Sequence, residues 1–149
     1  MAEIDLPQDF KDFLRLLNEA NVEYLLIGGY AVGYYGYPRT TADIDFWIAS
    51  TQENASKILS VFREFGMNDP GLTMELLLTP DKVVRMGFPP MRIEVLTGID
   101  GVTFAACYLN KQTVILDQIP INIISLDDLK KNKKASGRHK DLEDLEHLP

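Results

Sequence analysis

Apolar positions recur at helical spacing between residues 8 and 20, where Phe10, Phe13, Leu14, Leu16 and Leu17 fall on one side and Asn21 supplies a stop. Tyr24-Leu25-Leu26-Ile27 is a short apolar run that ends at Gly28-Gly29, the pattern of a buried strand entering a tight turn. A short helix is predicted over Tyr30 to Tyr35, broken by Gly36 and Pro38. Ile44 to Ile48 reads as a second strand, and the capping-type residues Ser50 to Glu53 open a long helix carrying Ile58, Leu59, Val61, Phe62 and Phe65 before Gly66. Residues 67 to 80 fit either a helical turn or a strand. Lys82 to Met86 and Arg92 to Leu96 predict two strands joined through Gly87-Phe88-Pro89-Pro90, and Val114 to Leu116 and Ile121 to Ile124 two more. Ser125 caps a helix from about Asp127 to Ala135, Gly137 breaks it, and a last helix runs from about His139 to His147. Helices alternating with short strands predict an α/β (α+β) fold, a small sheet flanked by helices, without visible repeats or linkers.

At 149 residues with 46% hydrophobic content, a single domain spanning 1–149 is expected. No apolar run approaches the ~20 residues of a membrane span, and the N-terminus does not follow the pattern of a secretory signal, so no membrane partner and a cytoplasmic location are expected. The single cysteine, Cys107, cannot close an internal disulfide and reads as a small buried hydrophobe. The net charge of −7 argues against broad attraction to nucleic acid. Basic residues nevertheless crowd into one stretch, Lys130, Lys131, Lys133, Lys134, Arg138 and Lys140, which reads either as a solvated helix face or as a local anion site.

Asp43-Ile44-Asp45 holds the candidate chemistry. On a strand, alternate residues share a face ~6.6 Å apart, so the two carboxylates project together while Ile44 faces the core. Their mutual repulsion is relieved by a proton or by a hard cation such as Mg²⁺, which takes one or two carboxylates together with water and substrate phosphate. Alone, such a pair equally describes two solvated strand-edge aspartates. Upstream, glycines between a strand and a helix let backbone N–H groups approach an anion, although ordinary turns use them too. Downstream, Arg92 and Glu94 share one strand face and Ile93 and Val95 the other. A surface Arg–Glu pair would look the same.

Together, Gly28-Gly29, the Asp43-Ile44-Asp45 triplet after a thirteen-residue interval and an acidic residue on a later strand resemble the nucleotidyltransferase superfamily related to polymerase β. That superfamily's pattern is glycine with glycine or serine, a spacer, aspartate-hydrophobic-aspartate (or glutamate), and a third carboxylate on a following strand. More narrowly, Gly28 to Val32, Arg39 to Asp45, Arg92 to Leu96 and Lys133 to Asp141 are similar to the bacterial group that includes AbiEii-type toxins and small antibiotic-type nucleotidyltransferases. The resemblance implies the polymerase β-like fold, and an enzyme moving a nucleoside monophosphate from a nucleoside triphosphate to a hydroxyl-bearing acceptor with Mg²⁺, two ions being expected. Asp43, Asp45 and Glu94 would be the catalytic and metal-binding residues, with Glu94 helping to deprotonate the acceptor. Gly28, Gly29, Arg39, Thr40 and Lys134 would bind the nucleotide, and Asp141 matches a position where the narrower group keeps an aspartate.

Three readings stay open at this level. The chain transfers nucleotides; or it is a non-catalytic nucleotide-binding module, such as half of a toxin–antitoxin pair; or Tyr30, Tyr34, Tyr35 and Tyr37 stack on nucleic-acid bases. The acceptor pocket is expected to need a second copy or a partner chain, because the chain offers no further helical substrate-binding region.

Overall fold

The computed structural model describes residues 5–38, 43–87 and 91–149. Seven helices and six strands are described: α1 (Gln8–Glu19), β1 (Tyr24–Ile27), α2 (Gly28–Tyr34), β2 (Asp43–Ile48), α3 (Gln52–Phe65), α4 (Met74–Leu78), β3 (Val83–Met86), β4 (Arg92–Leu96), α5 (Phe104–Leu109), β5 (Gln112–Leu116), β6 (Ile119–Ile123), α6 (Leu126–Ser136) and α7 (His139–His147). The strands form one mixed sheet in the order β3-β4-β2-β1-β6-β5. β1 pairs antiparallel with β2 and parallel with β6, β2 pairs parallel with β4, and the outer pairs β3–β4 and β5–β6 are antiparallel.

Local chemistry explains most boundaries. Asn21 turns the chain after α1 with a positive φ of 56°, a conformation asparagine tolerates better than most side chains. Thr51, Thr73 and Ser125 each accept a backbone N–H at the start of α3, α4 and α6, satisfying a donor that the helix cannot. Gly66 and Gly137 end α3 and α6 in the left-handed region. The ambiguous stretch 67–80 resolves as the single-turn helix α4. The helix α5 was not anticipated: at six residues it is too short to display a period.

Burial sorts β2 into two faces. Ile44, Phe46 and Ile48 are fully buried, and Phe46 packs against Phe13 of α1 and Tyr24 of β1, at centroid distances of 5.7 Å in both cases. Phe13 also meets Phe62 and Phe65 of α3. Helices α1 and α3 therefore cover this face of the sheet. Asp43, Asp45 and Trp47 take the opposite face by strand alternation, where Phe104 of α5 packs edge-on to Trp47 at 5.2 Å. Asn54, itself buried, ties α3 to the strands by accepting the Glu23 N–H at 2.8 Å and donating to the carbonyls of Glu23 and Ala49. Cys107 is buried, and burial together with Asp128 pushes its thiol up to about 12, so it behaves as the expected hydrophobe. Among the described residues, no helix is long and apolar enough to cross a membrane.

The tyrosines of the α2 region pack within the protein. Tyr30 meets Phe10 edge-on, the Tyr35 hydroxyl donates to the Ile124 carbonyl at 2.6 Å, and Tyr37 stacks on His147 at 4.1 Å.

Candidate active site

A cleft of about 560 Å³ opens over the polar face of the central strands. Its floor follows from register: Asp45 is opposite Glu94 across the parallel β2–β4 pair, and Asp43 is opposite Arg92. Lateral neighbours in a sheet point the same way, so the two aspartates, Arg92 and Glu94 share one face. Asp43, Asp45 and Glu94 all line the cleft, and Gly28 and Gly29 at the start of α2 line it beside them. Gly28 has φ +71°, and a Cβ built there would stand 2.2 Å from Asp45 Oδ2. Glycine is required at 28 both for the backbone conformation and for the room that it leaves to Asp45.

The three carboxylates are not equivalent. Asp43 is gripped from Arg92 by Nη2 to Oδ2 at 3.0 Å and Nε to Oδ1 at 3.3 Å. Glu94 receives Arg85 Nε at 3.0 Å, with Arg92 Nε at 3.7 Å. Asp45 Oδ1 is buried and has no hydrogen-bond partner among the described residues. Burial first, then the neighbouring Glu94 and Asp43 carboxyls, push the Asp45 pKa up to about 8, against a smaller opposing pull from Lys140. Two guanidinium groups thus face two carboxylates, and the third acid retains its proton near neutral pH. Among the described residues, no three His, Cys, Asp or Glu side chains are grouped to hold a metal ion, and arginines occupy two of the three expected ligands.

The remaining expected residues separate. Arg39 and Thr40 lie outside the described residues. Lys134 is exposed and is not among the residues that line the cleft; its neighbour Lys133 is. The helical period accounts for the shift: Lys133 continues the Leu126, Leu129 row at i, i+3 and i+7, the inward side of α6, so that row was the signal in the sequence. Arg138 and Lys140, members of the basic stretch that the sequence offered as a local anion site, also line the cleft, as does Arg85, which sequence reasoning had not singled out. Strand alternation places Arg85 on the polar face of β3, but only the pairing Arg85↔Glu94 brings it to the site. Asp141 is buried, and its carboxylate receives Lys133 Nζ at 3.1 Å and Arg138 Nε at 2.8 Å. It holds two cleft cations in place.

No curated protein sequence matches the chain. Among solved structures, TM1012 of Thermotoga maritima, assigned as a nucleotidyltransferase, superimposes with a TM-score of 0.59 at 16% identity, covering 92% of this chain and 88% of that one. The antibiotic-resistance factor ANT(2'')-Ia gives 0.59 at 11% identity, covering 93% and 79%. The lincosamide antibiotic adenylyltransferase LnuA, solved with lincomycin bound, gives 0.57 at 12% identity, covering 96% of each chain. These likenesses establish a shared fold, a six-stranded mixed sheet flanked by helices that matches the nucleotidyltransferase fold. A family model described as "Nucleotidyl transferase of unknown function (DUF2204)" matches residues 7–149, and with nearly the whole length so matched, the chain belongs to that nucleotidyl transferase family.

Proposed function

We propose that this chain transfers a nucleoside monophosphate from a nucleoside triphosphate to a hydroxyl group of an acceptor, and that it does so with Mg²⁺. The observation that carries the reading is the pairing of Asp45 with Glu94 on the cleft floor, with Asp43 beside them and Asp45 Oδ1 buried and unpartnered among the described residues. A divalent cation fits this donor set. The ligands are hard oxygens, and Asp45 Oδ1 lacks a hydrogen-bond partner among the described residues. Asp43, Asp45 and Glu94 would hold the metal. When bound, it supplies charge neutralisation for the carboxylates and for the reacting phosphate oxygens.

The chain's own residues divide the other tasks. The backbone at Gly28 and Gly29 approaches the triphosphate. Lys133, Arg138 and Lys140 on the cleft wall offset its negative charge, taking the part that the sequence pattern gave to Lys134. Arg39 and Thr40, just ahead of the aspartate pair in the chain, are assigned to the same phosphates. Glu94 accepts the proton of the attacking hydroxyl. The acceptor is proposed to be a small molecule: the cleft is of small-ligand size, the net charge of −7 disfavours a polyanion, and the similar structure LnuA is a lincosamide antibiotic adenylyltransferase.

Incubation with Mg²⁺ and labelled nucleoside triphosphates against pools of small molecules, tRNA and protein, with pyrophosphate release followed, tests the proposal. Label should enter the small-molecule pool. Asp45→Asn should lower transfer by about 10²-fold or more while its circular dichroism stays that of the wild type. Turnover at the wild-type rate by that variant would remove the catalytic assignment.

A further inference from the structure

Arg92 grips Asp43 side-on through two nitrogens, at 3.0 and 3.3 Å, and its Nε also stands 3.7 Å from Glu94 Oε1. One guanidinium therefore reaches two of the three carboxylates proposed to hold a metal. The contact is built into the sheet, because β2 and β4 are in the register that sets Arg92 directly opposite Asp43. Burial does not require the pair: the Arg92 side chain is 33% exposed and Asp43 20% exposed. Within that register, a cation approaching Asp43 and Glu94 meets a positive charge already on the same oxygens. It must displace the guanidinium or bear its repulsion.

We infer that Arg92 is a resident counter-cation that weakens metal binding at the free site. The inference rests on the reading that Asp43, Asp45 and Glu94 form a metal site. By satisfying Asp43 before a metal arrives, Arg92 keeps clustered carboxylates tolerable in the free protein and sets a threshold on metal loading. Arg92 acts here as a positioning residue, through Asp43.

Mn²⁺ titration of the metal-free protein, followed by the paramagnetic resonance signal of free Mn²⁺, measures the effect without reference to turnover. Arg92→Met keeps a stem of comparable length and drops the charge; it should bind Mn²⁺ about tenfold tighter than the wild type, the modest size reflecting partial solvent screening. Arg92→Lys keeps the charge and should stay close to wild type. Should Arg92→Met fail to fold, Arg92→Gln replaces it with the same expectation. Equal affinity in the wild type and the uncharged variant overturns the inference, as does tightening in Arg92→Lys that matches Arg92→Met. Absence of Mn²⁺ binding from every protein defeats the metal-site reading and this inference together. Binding of one strength in all of them defeats this inference alone.

Discussion

Asp45 concentrates the conflict between folding and chemistry in a single side chain. Its carboxyl is buried beside Glu94 and Asp43 and is pushed up to about 8, well above the ordinary carboxylate range. The folded protein consequently holds this proton more tightly than the unfolded chain does. The stability so gained is fully present below the unfolded carboxyl pKa and is lost as the pH rises through about 8. Asp45→Asn is neutral throughout and escapes that loss. In the metal-free protein, its melting temperature relative to the wild type should rise between pH 5 and pH 8.5. A difference that stays flat or reverses over that range, measured by differential scanning calorimetry in chelator, would contradict the assignment of a buried proton to this group. The same substitution is expected to remove transfer, so one residue should trade stability against activity.

At the scale of elements, the α6–α7 hairpin is held by charge as well as by apolar contacts. Lys133 of α6 is nearly buried and lies 3.1 Å from both Asp141 and Asp144 of α7. Burial alone would raise the Asp141 carboxyl, but hydrogen bonds from Arg138 and Lys133 outweigh it and hold the pKa below the ordinary value. A lowered carboxylate contributes stability that is present above the unfolded pKa and lost as the pH falls through the folded one. Asp141→Asn leaves a buried ammonium with reduced compensation and should cost about 3 kcal/mol at pH 7. Because the wild type surrenders the same interaction in acid, urea unfolding should show that cost shrinking towards pH 3. A cost independent of pH would point to packing rather than to the ion pairs. Since Lys133 and Arg138 line the cleft, the hairpin also sets where two of its cations stand.

For the whole molecule, the expected completion of the acceptor pocket by a second copy or a partner chain is addressed by size-exclusion chromatography with light scattering. A mass near twice 16.8 kDa would support the second copy, whereas a monomer that still transfers label would show that the pocket is complete within one chain. Legibility of the fold in the sequence followed element length and period. α1, α3 and α6 were readable because several turns of apolar periodicity or a cap and a glycine stop define them. The short α4 and α5 were not, because one or two turns leave no period to read.

By itself the sequence determined which face of β2 would carry Asp43 and Asp45, which face of β4 would carry Arg92 and Glu94, and where glycines would stand. Those are consequences of two-residue alternation and of backbone sterics, both local. Only the tertiary structure decided that β2 and β4 are parallel neighbours in a register that sets Asp45 beside Glu94 and Arg92 beside Asp43. It alone brought Arg85 to Glu94. Strand order and register depend on burying the Ile44 and Phe46 face under distant helices, a global packing condition that residue spacing along the chain does not encode.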